Sequence, residues 1–134
     1  MQKADHFKRS GDGLSYAGDH LLLDFCDAQN LSDVNIVQRA LEASAAAAGA
    51  TILHSHCHRF GDGGGVSGVT VLAESHITIH TWPEHAYAAI DIFMCGNCDP
   101  NDCLAALEAA FCPQRVSQRL LQRGKETDAV EEMA

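Results

Sequence analysis

Six short stretches of the chain either alternate apolar and polar residues or run apolar throughout. Alternation is the pattern of a strand with one buried face, and a short continuous apolar run is typical of a fully buried strand. Segments containing Gly or Pro separate several of these stretches. The predicted strands are His20–Cys26, Thr51–His56, Val66–Ala73, His76–Trp82, Tyr87–Phe93 and Val116–Leu121.

A helix is predicted between the first two strands. Apolar residues recur there at three- and four-residue steps over Val34–Ala48, in a segment rich in alanine. This spacing and composition predict an amphipathic helix. Either Ser32 or Asp33 is suited to cap its N-terminus, and Gly49 is suited to end it.

A second helix is predicted before the last strand. Asp99 is its N-cap, Pro100 lies in its first turn and Pro113 ends it. Its apolar stripe consists of Leu104, Leu107, Ala110 and Phe111. The helix would present this stripe to the sheet.

Strands interleaved with two helices through short connections predict the α+β class. The expected architecture is a two-layer sandwich, an antiparallel sheet with two helices packed on one face. A chain of 134 residues suits one domain, which we place at residues 19–123. Residues 1–18 and 124–134 are polar or charged, and we expect them to be mobile tails.

The charge balance narrows the range of partners. The formal net charge is −9, which disfavours nucleic-acid phosphates and anionic membranes and favours a small cationic molecule. No stretch approaches the roughly 20 apolar residues of a membrane span, and the polar opening lacks the apolar segment of a secretory signal. We therefore expect a cytoplasmic protein, whose six cysteines are reduced thiols.

Chemically reactive side chains gather within residues 72–84 and 88–96. Alternation places four side chains on one face of their predicted strand and Ile77 and Ile79 on the other. Such a polar face indicates a functional site or an interface, and the plain alternative is hydrogen-bonded filler on a half-buried sheet. The four are His76, Thr78, His80 and Trp82.

The segments ESHITIHTWPE and YAAIDIFMCG resemble the signature of the prokaryotic S-adenosylmethionine decarboxylase proenzymes. The resemblance extends more loosely over GDHLLLDF, AAGATIL, HRF and GVSGV, and so covers about residues 18 to 123. In that family the chain cuts itself before the serine of the ESH motif. The resemblance therefore implies cleavage between Glu74 and Ser75, which would give chains 1–74 and 75–134.

The implied cofactor is a pyruvoyl group made from Ser75 and covalently attached to the chain. The serine hydroxyl attacks the carbonyl of Glu74, an ester forms, and elimination and hydrolysis leave the pyruvoyl group at the new N-terminus. Its carbonyl condenses with the substrate amine in a Schiff base and accepts the electrons released as CO₂ leaves. The implied reaction is decarboxylation of S-adenosylmethionine, whose product supplies spermidine biosynthesis.

The same resemblance implies roles for six further residues, and a homodimer with sites at the interface. Two side chains assist processing, one donates a proton in catalysis and three bind the substrate. The ribose acceptor would be a carboxylate and the adenine would stack on an aromatic ring. In the order of these roles the residues are His80 and Ser67, Cys95, then Glu84, Phe60 and Trp82.

Three alternatives stay open at this stage, although we expect no metal. A structural zinc is one, because His54, His56, Cys57 and His58, or Cys95, Cys98 and Cys103, offer suitable ligands. Another is a related pyruvoyl-dependent decarboxylase that acts on ornithine or arginine. The third is a regulatory paralogue without activity, against which the intact Glu74, Ser75, His80 and Cys95 argue.

Overall fold

The computed structural model describes residues 7–125, which form a six-stranded antiparallel sheet, a two-stranded ladder and two α-helices. The ladder pairs β1 (Lys8–Arg9) with β2 (Ser15–Tyr16). The sheet has the order β4-β5-β6-β7-β3-β8. Its strands are β3 (Gly18–Cys26), β4 (Ile52–Arg59), β5 (Val66–Leu72), β6 (Ser75–Trp82), β7 (Tyr87–Met94) and β8 (Arg115–Arg123), and the helices are α1 (Val34–Ala47) and α2 (Leu104–Phe111).

One face of the sheet is buried under the helices. Alternate residues of the central strands point there, such as Leu23 on β3, Ile79 on β6 and Ile92 on β7, each almost fully buried. The helices contribute Leu41 and Phe111 to the same core. The predicted α+β sandwich is confirmed, with both helices against one apolar core.

Helix α1 begins as the sequence predicts, whereas α2 begins at Leu104, later than predicted, because a 3₁₀ turn precedes it. Asp33 caps α1, since its carboxylate accepts hydrogen bonds from the backbone N–H groups of Asn35 and Ile36. Gly49 follows α1 with a φ of 73°, a left-handed conformation that glycine adopts without strain. Asp99 caps a 3₁₀ turn, Pro100–Cys103, that leads directly into α2.

The opposite side of the sheet, which we call the open face, carries no helix of the described chain. Its side chains are fixed by the alternation and register of the strands. Histidines are frequent on it, and a few charged residues accompany them. The polar and charged residues on the open face include His20, His54, His56, His58, Ser67, His76, Thr78, His80, Asp91 and Arg119.

The N-terminal segment is more structured than the predicted tail. Residues 7–18 include β1 and β2, Tyr16 is buried, and the Lys8 ammonium lies 3.4 Å from the Asp19 carboxylate. These contacts hold the segment against the start of β3. Residues 1–6 and 126–134, which are a third of the expected N-terminal tail and most of the C-terminal one, lie outside the described residues.

No helix in the described part of the chain combines the length and the apolar character needed to cross a bilayer.

Candidate active site

The bond predicted to break lies in a tight turn between β5 and β6. Leu72 pairs with Ser75, so the turn consists of Ala73 and Glu74 alone. Glu74 has a φ of 62°, a left-handed conformation that is normally taken by glycine at this position of a turn. Such a conformation costs a non-glycine residue on the order of 1 kcal/mol or more, so the chain is strained at the residue before Ser75.

A cysteine thiol contacts both sides of this bond. Cys95, directly after β7, donates a hydrogen bond from its thiol to the carbonyl oxygen of Glu74 over 3.1 Å. Its sulfur also lies 3.6 Å from the Ser75 hydroxyl. A donor on this carbonyl oxygen would stabilise the negative charge that develops when a nucleophile attacks the carbon. The two side chains line a cavity of about 250 Å³, together with Ala50 and Asn97.

A serine and a histidine form a second pair farther along β6. Ser67 on β5 lies opposite His80 on β6, and the serine hydroxyl is 2.9 Å from the histidine Nδ1. In this geometry the imidazole can take or return the hydroxyl proton. The pair is open to solvent, because the His80 side chain lies on the open face.

The second pair shares a cavity with all three predicted substrate-binding residues. Phe60, Trp82 and Glu84 line a space of about 270 Å³ together with Ser67 and His80. Phe60 and Trp82 are 59% and 42% exposed, so both present aromatic surface to this space, where a ligand ring could stack. Glu84 lies in the 3₁₀ turn Pro83–His85 after β6.

The structure therefore divides the eight predicted site residues between two places in the chain. Ser75 begins β6 and His80 lies five residues farther along the same strand. At roughly 3.3 Å per residue the two positions are separated by about 16 Å. Glu74, Ser75 and Cys95 are together at one end of β6, and the other five surround its far half. A single chain does not bring the two groups into contact.

A third cluster lies on the open face, and the sequence pattern did not indicate it. His20 on β3 and His76 on β6 each place Nε2 2.9 Å from the same oxygen, Oδ1, of Asp91 on β7. Thr78 donates to the other carboxylate oxygen of Asp91. Burial raises the pKa of Asp91, but the hydrogen bonds from Thr78, His20 and His76 outweigh it, so the net pKa lies below the ordinary value.

His20, His76 and Asp91 are the only group in the described chain in which three potential metal ligands converge. Arg123 lies 3.1 Å from the His20 Nδ1, and a guanidinium can only donate, so Nδ1 is the acceptor and Nε2 carries the proton. His20 therefore presents a proton, not a lone pair, to Asp91. We interpret the cluster as a hydrogen-bonded network centred on the carboxylate.

The histidines and cysteines that could bind zinc on β4, and those at Cys95, Cys98 and Cys103, do not converge on a common point in the described chain. Cys57 faces the helices, where its sulfur lies close to Gly68, whereas His54, His56 and His58 point to the open face. Burial raises the pKa of Cys57, and it raises the pKa of Cys103 to about 12. Such thiols keep their protons at neutral pH, and zinc takes the thiolate.

A serine hydroxyl and a cysteine thiol at a strained turn of an α+β sandwich define the candidate active site of an enzyme. The family model described as S-adenosylmethionine decarboxylase matches residues 19–124. The chain belongs to this family, and it is thereby a decarboxylase enzyme.

Individual relatives lead to the same family. The S-adenosylmethionine decarboxylase proenzyme of Thermotoga petrophila is 44% identical over 111 residues, which are 81% of this chain and 85% of the relative. The proenzyme of the same name from Acidithiobacillus ferrooxidans is 43% identical over 81% of this chain and 83% of its own length. The crystal structure of the adenosylmethionine decarboxylase from Aquifex aeolicus superposes with a TM-score of 0.73 at 31% identity, and covers 81% of this chain and 92% of that one.

Proposed function

We propose that this protein is a self-processing, pyruvoyl-dependent decarboxylase of S-adenosylmethionine. The observation that carries the proposal is the position of the Cys95 thiol, which contacts the Ser75 hydroxyl and the Glu74 carbonyl oxygen at a strained turn. A nucleophile, an electrophile and a hydrogen-bond donor are thus adjacent in the uncut chain. That arrangement is what an intramolecular acyl shift requires.

Processing begins with a transfer of the acyl group from nitrogen to oxygen. The Ser75 oxygen bonds to the Glu74 carbonyl carbon and loses its proton, while the bond from that carbon to the Ser75 nitrogen breaks and the nitrogen takes a proton. The Cys95 thiol donates to the carbonyl oxygen as negative charge forms on it. An ester then joins residues 74 and 75.

Elimination completes the cut. A base removes the α-proton of Ser75, and the bond from its β-carbon to the ester oxygen breaks, which releases residue 74 with a free carboxylate. Water replaces the remaining nitrogen, which leaves as ammonia, and the new terminus is a pyruvoyl group. This group supplies an electron sink for the electron pair released when CO₂ leaves the substrate. Cys95, already adjacent, is suited to return a proton to the substrate carbon.

The residues of the second cavity fit a nucleoside. The exposed faces of Phe60 and Trp82 offer stacking surfaces for a base, and Glu84 offers two acceptor oxygens for vicinal hydroxyls. Ornithine and arginine have neither a base nor a ribose. The cavity therefore favours S-adenosylmethionine over these amino acids, and a panel of the three substrates tests the choice.

We propose further that the working unit is a homodimer of processed chains joined through their open faces. A two-fold axis that lies between the two open faces and runs perpendicular to β6 near its middle would place Ser75 and Cys95 of one protomer near Ser67 and His80 of the other. This arrangement would reunite the two groups that one chain holds about 16 Å apart, at roughly 3.3 Å per strand residue. A cytoplasmic location and a small cationic substrate stay predictions.

The intact mass of the purified protein tests the proposed function. We expect two fragments, residues 1–74 and residues 75–134, the second one ammonia lighter than a chain that begins with serine. The Ser75→Ala variant should give one uncut chain without activity, whereas Cys95→Ala should still be cut at least partly but turn over poorly. A wild-type chain that stays whole after long incubation would support a non-catalytic regulatory role, and turnover by Ser75→Ala would exclude the mechanism.

A further inference from the structure

Cleavage changes how the start of β6 is held. In the uncut chain Ser75 is fixed on both sides, by Glu74 in the turn and by His76 in the strand. After the cut, position 75 is the terminal residue of a strand, and its covalent bond to His76 is the only covalent bond that still ties it to the chain. Strand and chain ends open more readily than interior positions, so the reactive group would sit where the fold is least constrained.

The side chain of His76, near the start of β6, makes two contacts with the neighbouring strand β7. Its Nε2 donates to the Asp91 carboxylate on β7 over 2.9 Å, and its ring stacks on Phe93 with centroids 6.0 Å apart and planes 27° apart. Asp91 is itself held by Thr78 and His20. The ring of His76 therefore ties the second residue of β6, next to Ser75, to the neighbouring strand through a side chain, in addition to the backbone ladder.

The anchor is built around a carboxylate that receives hydrogen bonds from three donors. Arg123 donates to His20, His20 donates to Asp91, and His76 and Thr78 donate to Asp91 as well. Three of these four hydrogen bonds therefore end on Asp91, and the fourth fixes the ring of His20. Hydrogen bonds to an ionised acceptor are shorter and stronger than neutral ones, which makes Asp91 a firm attachment point.

We propose that Asp91 and His76 are positioning residues, which hold the group formed at Ser75 in place once the chain has been cut. The inference rests on the proposed function, since it concerns the mature form of that same site. Its distinctive consequence is timing. While Glu74 still tethers Ser75, loss of the anchor should change the position of residue 75 little. After cleavage, the same loss should displace the reactive group.

Four variants separate this role from a general structural one. His76→Leu removes the donor, Asp91→Asn removes the charged acceptor, and His76→Gln keeps an N–H donor of similar reach. His54→Leu is the matched control, because it makes the same substitution on the open face at a histidine outside the Asp91 cluster. All four should be cut into the two fragments, as shown by intact mass.

The turnover number should then distinguish the variants that lose the anchor from those that keep it. We expect kcat to fall at least about tenfold in His76→Leu and Asp91→Asn, since a reacting group displaced by an ångström loses up to about 100-fold in rate. His76→Gln should recover most of the loss, and His54→Leu should stay within about twofold of wild type, as substitutions outside key contacts usually do. If Asp91→Asn fails to fold, the two His76 variants carry the comparison.

Hydrogen exchange supplies the readout that a merely structural role would not produce. Backbone amides of residues 76–78 should exchange faster in cut His76→Leu than in cut wild type, whereas Ser75→Ala and Ser75→Ala/His76→Leu, both uncut, should exchange alike. The inference would be overturned if cut His76→Leu exchanged no faster than cut wild type, or if His76→Leu accelerated exchange as much in the uncut pair as in the cut pair. Unchanged turnover in His76→Leu would overturn it as well. If wild type itself never yields fragments, the proposed function fails instead.

Discussion

At the scale of single residues, the glutamate at position 74 combines a strained backbone with a polarised carbonyl. Its φ of 62° is a conformation that glycine adopts freely, and its carbonyl oxygen accepts the Cys95 thiol. Cleavage would release this strain, because the residue before the cut no longer has to close a turn. Strain at this residue therefore raises the free energy of the uncut chain without affecting the products.

Glu74→Gly should slow processing for that reason. Glycine relaxes the turn and stabilises the uncut chain by on the order of 1 kcal/mol, which corresponds to roughly fivefold in the rate if the strain is lost in the transition state. Glu74→Ala keeps the strained backbone and is the matched control. The rate at which fragment 75–134 forms after synthesis is the measurement, and a glycine variant as fast as the alanine variant would show that strain does not drive the cut.

The sequence predicted which side chains share a face of β6, but not which of them contact residues of distant strands. Alternation along His76–Trp82 correctly placed His76 and His80 on the face opposite Ile77 and Ile79. It could not reveal that His20 and His76 share Asp91, because that contact depends on how β3, β7 and β6 are aligned in the sheet. Residues distant in the chain meet only once the strand register is known.

At the scale of elements, the β4–β5 pair approaches helix α1 closely at one point. Gly68 on β5 lies under this contact, where an added Cβ would stand 2.6 Å from the Cys57 sulfur and 3.2 Å from atoms of Ile79 and Leu41. A side chain there would displace the Cys57 sulfur and crowd the side chains of Ile79 and Leu41. The closeness of sheet and helix at this point therefore depends on glycine.

Gly68→Ala should destabilise the fold by about 1–3 kcal/mol, the usual cost of overpacking a core. The comparison is Gly11→Ala, where nothing lies within 4 Å of the added carbon, and which should change stability by less than about 0.5 kcal/mol. Urea unfolding in the uncut Ser75→Ala background measures both, since one chain then unfolds in one transition. Equal midpoints for the two variants would contradict the packing argument.

The elements themselves could be predicted largely from the sequence. Each of the six predicted strands and both helices occur, with ends shifted by a few residues, because hydrophobic spacing and the caps at Asp33 and Asp99 are local signals. The sheet order was beyond such reasoning, as was the β1–β2 ladder, whose strands are two residues each. Pairs this short leave no periodicity to detect.

At the scale of the whole molecule, the division of the site suggests a test of the dimer. A chain with Ser75→Ala keeps Ser67 and His80, and a chain with His80→Ala keeps Ser75 and Cys95. If each site combines residues of two protomers, co-expression of the two should restore one complete site per mixed dimer. Neither variant alone contains such a site.

The expected outcome is that the His80→Ala chain is cut in the mixed dimer and stays whole by itself, while the Ser75→Ala chain is never cut. Distinct tags on the two chains allow the mixed dimer to be purified, and intact mass reports which chain is cleaved. Mixed dimers in which the His80→Ala chain remains whole would mean that each protomer processes itself with its own residues.

The order of the sheet gives the cut a consequence for refolding. Strands β3, β4 and β5 precede the Glu74–Ser75 bond and β6, β7 and β8 follow it, yet in the sheet β3 lies between β7 and β8. Three ladders, β5 with β6, β7 with β3, and β3 with β8, then join two separate chains. Folding before the cut is an event within one chain, whereas refolding afterwards requires two fragments to meet and interleave, at a rate that depends on concentration. The mature protein would therefore persist chiefly because unfolding is slow, and a molecule that once came apart would be poorly able to reassemble in dilute solution.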